Sequence, residues 1–171
     1  MSLSEEDAEE LLAAGEECTD RLSGLIDNLL DSSRLATGAV QPVLRPVGYG
    51  EVVATALSAL DTREPVDLDV DDRLPAVPAD AGLLERAVAN VIDNAVRHGG
   101  TGRGLPEGAA DSAFAPFQRL GDRNTTTGVS VAKGFVEAMD GTIRAEDTPG
   151  GGLKIVLSLP AAVVPESEVV R

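Results

Sequence analysis

The segment 79–98 holds the polar residues whose types and spacing best suit a chemical role. Asn90 and Asn94 are four residues apart, so in a helix they lie on one face. Arg97 and His98 follow towards the end of the segment. Two carboxamide oxygens can ligate a hydrated Mg2+, and a neighbouring cation can hold phosphate. The alternative is a solvated helix face, with His98, the only histidine, acting as a helix-end dipole partner.

Three later segments carry weaker signals of the same kind. Gly102 and Gly104 let the backbone pass close to a flat ligand, although such pairs also form ordinary turns. Phe114 and Phe117 fit either a binding-site loop or a local hydrophobic anchor. The Thr127-Gly128 pair leads into a predicted helix, whose free N–H groups can meet a phosphate.

Composition narrows the classes of function. The 171 residues carry a formal net charge of −15, from 29 acidic and 14 basic side chains. Nucleic acid is therefore not an expected partner, because phosphate backbones are bound by a basic face. The single cysteine excludes a disulfide framework within the chain, and no Cys/His cluster is present for structural zinc. No apolar run approaches the roughly 18–20 residues of a membrane span.

The elements that position these residues begin with a long helix from Ser4 to about Gly38. Ser4 is the expected N-cap, with Asp7 as its capping-box partner. An apolar stripe recurs at alternating four- and three-residue steps, which is typical of a bundle or coiled-coil seam. Its members are Leu11, Gly15, Cys18, Leu22, Leu25 and Leu29. About 30 helical residues span roughly 45 Å, so part of this helix is expected to project and to pair with another element.

Helices and strands alternate in the rest of the chain. Strands are predicted at 43–47, 66–70, 142–146 and 153–159, and helices at 49–60, 79–98 and 130–139. A proline-punctuated connector is expected over 74–78, and a flexible tail over 161–171. This order predicts an α+β fold, a two-layer sandwich in which helices cover one face of a mixed sheet.

The order of the chemical segments resembles the nucleotide-binding region of bacterial sensor histidine kinases. In that family the Asn-bearing helix, Gly-x-Gly, Phe-x-x-Phe and the Gly turn into a helix are called the N, G1, F and G2 boxes. Residues 21–35, RLSGLIDNLLDSSRL, are similar to the second dimerisation helix of these kinases. Together with residues 37–40 they look most like the KdpD type, the potassium and turgor sensors. The resemblance covers roughly residues 5–160.

This resemblance implies a GHKL (Bergerat) ATP-binding fold with ATP and Mg2+ as cofactors. Residues 1–40 would be the second helix of the dimerisation hairpin, with 1–3 resembling residues added for expression, and 41–160 the ATP-binding catalytic domain. By position, Asn94 resembles the Mg2+ ligand and Asn90 its neighbour on the phosphate side. The other ATP-site residues that the boxes imply are Arg97, His98, Gly102, Gly104, Phe114, Phe117, Thr127 and Gly128.

The implied activity is transfer of the ATP γ-phosphate to a histidine on a dimerisation helix, for relay to a response regulator. That acceptor stands on an earlier helix which this chain does not contain, and His98 lies in the N box. The fragment alone is therefore expected to be inactive. Its implied partners are ATP, its own dimerisation domain in a homodimer, and the response regulator. The resemblance also implies a cytoplasmic domain of an inner-membrane-anchored sensor.

The chain departs from the family pattern at two places. Only Gly99 and Gly100 separate the N box from the G1 box, where the family has a hairpin of roughly 12–20 residues, and Gly100 stands where the adenine-reading Asp belongs. Ser130 follows Val129 directly, where a Gly-x-Gly-Leu run is expected. We infer that residues are omitted at both junctions, which predicts Cα–Cα separations well beyond the 3.8 Å of a trans peptide.

Two alternatives remain open on the sequence. A degenerate GHKL-fold protein would serve as a nucleotide-binding or dimerisation module without phosphotransfer, and the departures above favour it if both junctions are ordinary peptide bonds. Another GHKL ATPase or an anti-sigma kinase is disfavoured by the long leucine seam. It is also disfavoured by Asn90, which stands where hydrolytic members of the fold place a water-activating Glu.

Overall fold

The computed structural model describes residues 4–60, 66–71, 73–98, 114, 127–148 and 152–161. Four helices and four strands lie in this part of the chain. The helices are α1 (Glu5–Ala36), α2 (Tyr49–Ser58), α3 (Ala81–His98) and α4 (Thr127–Ala138). The strands are β1 (Arg45–Val47), β2 (Val77–Ala79), β3 (Thr142–Asp147) and β4 (Leu153–Ser158).

Helix α1 forms with both of its ends capped by the residues beside it. Ser4 and Asp7 make the predicted capping box, in which each side chain accepts a hydrogen bond from the other residue's backbone N–H. Gly38, at a φ of 66°, ends the helix, and its N–H donates to Leu35 O at 3.0 Å while Ala39 N–H donates to Arg34 O. This is a Schellman motif. The predicted limits of the helix are therefore confirmed.

Most of α1 projects away from the rest of the protein. The leucine side chains of its seam are exposed, from 47% for Leu25 to 62% for Leu11. Only the last turns are covered, where Asp31 is 3% exposed and Leu35 is half-buried. The expectation that part of the helix stands clear of the domain is confirmed. None of the helices in the described ranges is both long and apolar enough to cross a membrane.

The strands pair as two antiparallel ribbons. In one, β1 pairs with β2 and Pro46 stands opposite Pro78, consistent with proline's restriction to edge positions. In the other, β3 pairs with β4 from Thr142 opposite Ser158 to Asp147 opposite Leu153. Of the four predicted strands, those at 43–47, 142–146 and 153–159 are found with small shifts of their ends.

Two predictions for the middle of the chain are wrong. Residues 66–70 form no strand and stay largely exposed, with Leu68 at 51%. A strand forms where a neighbouring strand can pair with it and where one of its faces can be buried. Neither of the two described ribbons pairs with residues 66–70. The expected connector at 74–78 instead contributes β2, because Val77 and Ala79 are buried on both sides of Pro78 and face the core.

The core lies between the helices and the ribbons. One cluster joins β1, β2, α2, α3 and the residue that follows α4; its members are Val47, Val52, Val77, Ala79, Leu84 and Met139. A second joins α3 and α4 through Ala87, Val131, Ala132, Phe135 and Val136, with side chains of β3, β4 and α1 packed against it. The helices thus pack against the strands, which in the described ranges form two separate antiparallel ribbons and not one mixed sheet.

Candidate functional site

Helix α3 carries the two asparagines, and its start is fixed by one residue. Asp80 caps α3, since its Oδ1 accepts from Leu83 N–H at 3.1 Å, and its Oδ2 accepts from Val43 N–H at 2.8 Å. Leu84 and Ala87 are buried on the core face. Ala95, one residue after Asn94, is exposed.

Asn90 and Asn94 lie one turn apart on α3, and both are half-buried. Neither carboxamide is hydrogen-bonded to another residue of the described ranges. A fully solvated helix face, the alternative for these residues, does not fit their burial. Half-buried amide groups that have no hydrogen-bond partner among the described residues leave their donors and acceptors open to a ligand or to water.

The amino end of α4 lies against Asn90. A Cβ placed on Gly128 would stand 3.5 Å from Asn90 Oδ1 and 3.8 Å from Asn28 Nδ2, a side chain of α1. The first turn of a helix has free N–H groups and a partial positive charge. The structure therefore brings Asn90 and Gly128, which are 38 positions apart in sequence, to one place at an anion-attracting helix end.

Helix α4 begins earlier than predicted and corrects one expectation. It starts at Thr127 and runs without a break through Val129 and Ser130. The large Cα–Cα separation expected at that junction is therefore absent. The other junction, Gly100 to Thr101, lies outside the described residues, as do the predicted site residues Gly102, Gly104 and Phe117. Of Arg97, His98 and Thr127, only the helical backbone is described.

Phe114 is a buried anchor beneath the start of α4. Its side chain is 9% exposed and packs with Val129 of α4 and with Ile143, Ala145 and Ile155 of the β3–β4 ribbon. The Nζ of Lys133, one turn further along α4, lies 5.8 Å from the centre of its ring. The hydrophobic-anchor interpretation of this residue is thus confirmed.

Sequence reasoning missed the contacts that α1 makes with this site. Asp31 of α1 is buried and pairs with the guanidinium of Arg86 of α3, while Arg34 Nη1 lies 4.0 Å from its other oxygen. The Arg86 guanidinium also lies 5.3 Å from the centre of the Phe135 ring. The spacing of Asn28, Asp31 and Leu35 on one face of α1 was the available signal, but the leucine seam on the neighbouring face obscured it.

The amide oxygens at this site could hold a hard cation only if oxygens of a bound ligand completed its coordination. No group of three or more His, Cys, Asp or Glu side chains comes together within the described ranges. Amide oxygens of Asn90 and Asn94 are of the type that Mg2+ accepts alongside substrate phosphates and water. Glu146, whose pKa is lowered by Lys154 and then by Arg144, lies on the β3–β4 ribbon and forms no part of this set.

The chain is similar to known proteins of one kind. Residues 100–163 match the model of the histidine kinase-, DNA gyrase B-, and HSP90-like ATPases. The sensor protein KdpD of Mycobacterium tuberculosis is 45% identical over 195 residues, a match that takes in 94% of this chain and 22% of the relative. The chain thus spans about a fifth of the length of the KdpD relatives.

Two solved structures have a similar fold. Full-length ShkA in complex with AMPPNP covers 95% of this chain at 22% identity and a TM-score of 0.68, and this chain covers 41% of it. The ATP binding domain of PrrB from Mycobacterium tuberculosis covers 69% of this chain, and 97% of its own length is covered, at 24% identity and a TM-score of 0.53. These likenesses confirm the predicted fold class.

The alignment with the mycobacterial KdpD is longer than the part of this chain that it matches. It extends over 195 residues, whereas 94% of this chain's 171 residues is about 161, so roughly 34 aligned positions have no counterpart here.

Proposed function

Because this chain belongs to the sensor histidine kinases and carries their GHKL-type ATPase region, KdpD-like in sequence, we propose that it is the catalytic, ATP-binding part of such a kinase. The whole protein would transfer the γ-phosphate of ATP to a histidine on a dimerisation helix. The observation that carries the assignment of the site is the meeting of Asn90 with the amino end of α4 at Gly128.

The chain's own residues would act by positioning and by neutralising charge, which is the main task of a protein in phosphoryl transfer. The free N–H groups of α4 would hold phosphate oxygens, and the oxygens of Asn90 and Asn94 would face the cation that accompanies them. When bound, Mg2+ would neutralise charge on the polyphosphate. Phe114 would fix the start of α4 through Val129, so that these donors keep their places.

Four further predicted residues complete the proposed site. Arg97 and His98 follow Asn94 at the end of α3, where cations can contact the polyphosphate. Gly102 and Gly104 would lie along the adenine.

The remaining parts of the reaction lie outside this chain. The phosphoacceptor histidine would stand on a helix that pairs with the seam of α1 in a homodimer, and a response regulator would receive the phosphate. Membrane anchoring would belong to the rest of the full-length protein, because this chain corresponds to about a fifth of its KdpD relatives.

The decisive variant is Asn94→Ala. We expect the 171-residue chain to bind MgATP and the variant to lose Mg-dependent binding, because it lacks one of two amide oxygens for the cation. Isothermal titration calorimetry with MgATP, and with ATP in EDTA, measures this. Ser58→Ala, an exposed change at the end of α2, is the control and should bind as the parent does.

A second assay tests phosphotransfer itself. A peptide or domain that carries the histidine-bearing dimerisation helix is supplied with γ-labelled ATP, and transfer of label to that helix is followed. We expect label on the supplied helix and none on the chain incubated alone, since His98 lies within the nucleotide site. MgATP binding without any transfer would favour the alternative, a binding module of the same fold.

A further inference from the structure

The last turns of α1 present one face to the candidate site. Asn28, Asp31 and Leu35 are spaced by three and four residues, so they share a side of the helix. Asp31 pairs with Arg86 of α3, and Leu35 packs against the α3–α4 core. A Cβ on Gly134 would come within 2.5 Å of Leu35 Cδ1, so α1 and α4 approach closely there.

The same face brings Asn28 to the proposed phosphate end of the site. From Asp31 to Asn28 is about 4.5 Å of rise along α1, and from Arg86 to Asn90 is about 6 Å along α3. The pair Asp31–Arg86 therefore sets the register that places Asn28 near Asn90. The carboxamides of both lie within 4 Å of the point where a Gly128 Cβ would stand.

Asn28 has a carboxamide that could bind a ligand at this point, and it has no hydrogen-bond partner among the described residues. Its side chain is half-buried, and no hydrogen bond joins it to another residue of the described ranges. A carboxamide can donate to a phosphate oxygen through its NH2 group. Because Asn28 belongs to α1 and not to α3 or α4, any bond it makes to a ligand also holds α1 in its docked position.

We propose that Asn28 is a positioning residue which couples a bound polyphosphate to the docking of α1 on α3 and α4. This inference rests on the proposed nucleotide site. Binding free energies that are coupled act in both directions. ATP should therefore tighten the docking of α1 by the same factor by which docked α1 tightens the binding of ATP.

The first test compares MgATP affinity among variants of the full 171-residue chain. Asn28→Ala should weaken MgATP about tenfold, the effect of one hydrogen bond to a charged group. Asn28→Asp should weaken it at least as much, because a carboxylate repels the polyphosphate. Ser33→Ala, an exposed change on the same helix, should bind as the parent does.

The second test measures α1 directly. Backbone hydrogen exchange of residues 28–36 should slow when MgATP is added to the parent and to Ser33→Ala, and should not slow in Asn28→Ala. Thermal unfolding without nucleotide should give the same midpoint for both variants. A lower midpoint for Asn28→Ala, with an unchanged MgATP effect, would mean that Asn28 only supports the fold and would overturn the proposal.

The outcomes separate this inference from the function it rests on. If the parent binds MgATP and Asn28→Ala matches it in affinity and in exchange, the coupling role of Asn28 is wrong and the nucleotide site stands. If the parent binds no MgATP, both are wrong.

Discussion

At the scale of single residues, two neighbouring positions end α4 in different ways. Asp140 adopts the backbone conformation that ends the helix, and Gly141 leaves the space that the β3–β4 ribbon occupies. Asp140, not the glycine after it, adopts the positive φ of 57° that closes α4 in a Schellman motif. Gly141 is needed for room. A Cβ there would stand 2.7 Å from Ser158 O and 2.8 Å from both Val136 Cγ1 and a Leu159 methyl.

Gly141→Ala should therefore lower the free energy of unfolding by about 1–3 kcal/mol, the usual cost of overpacking a closed space. The contact is with backbone of β4, which cannot move aside without disturbing the β3–β4 ribbon. Urea unfolding followed by circular dichroism measures the change. Gly24→Ala, at a helical site in α1 with nothing within 4 Å, is the matched control and should cause no loss. Equal effects of the two substitutions would contradict the steric explanation.

At the scale of elements, α1 contacts α3 through an ion pair in which the Asp31 carboxylate is buried and the Arg86 side chain is 45% exposed. Asp31 is 3% exposed and has Arg86 as its close partner, with Arg34 at 4.0 Å. A buried charge that loses its partner is costly, whereas replacing both partners by apolar groups is often tolerated. Arg86 also stacks on Phe135, so its guanidinium contacts side chains of both α1 and α4.

Arg86→Met should release the last turns of α1, because the Asp31 carboxylate is left without its close partner in a buried place. The double variant Asp31→Leu/Arg86→Met should recover most of the docking. Hydrogen exchange of residues 28–36 reports docking, and we expect exchange there to be fast in the single variant and slow in the double. If both variants exchange as the parent does, the ion pair does not hold α1.

At the scale of the whole molecule, α1 extends an apolar seam that the described part of the chain does not cover. Leu22, Leu25 and Leu29 are 54%, 47% and 55% exposed, on a helix of 32 residues. A continuous apolar stripe of this kind marks an interaction surface. The lone cysteine, Cys18, is exposed on the same helix.

We expect the chain to self-associate through this seam, so that its sedimentation exceeds that of a 17.6 kDa monomer and depends on concentration. The double variant Leu22→Glu/Leu29→Glu should sediment as a monomer, because it places charges in the contact. MgATP affinity should stay unchanged, since Leu22 and Leu29 lie about 100–120° around α1 from Asn28. A parent that sediments as a monomer at high concentration would contradict self-association through the seam.

Local patterns were enough for much of the fold. The capping box at Ser4, the glycine at 38 and the period of the apolar residues predicted α1 closely, because caps and helical spacing act within a few residues. The Asn90–Asn94 pair and the anchor at Phe114 were found in the same way. The strand predicted at 66–70 failed, since its alternating pattern is local but its pairing partner is not.

The sequence by itself thus determined the helices, the strands β3 and β4 and the family resemblance. All of these depend on residues that are close together in the sequence. Only the tertiary structure decided that Asn90, Gly128 and Asn28 meet, and that Asp31 is buried against Arg86. Those contacts join residues 38 to 100 positions apart, and they arise from how three helices pack. The packing of the helices depends on the shapes of all the contacting side chains together, so it cannot be predicted from any single segment of the sequence.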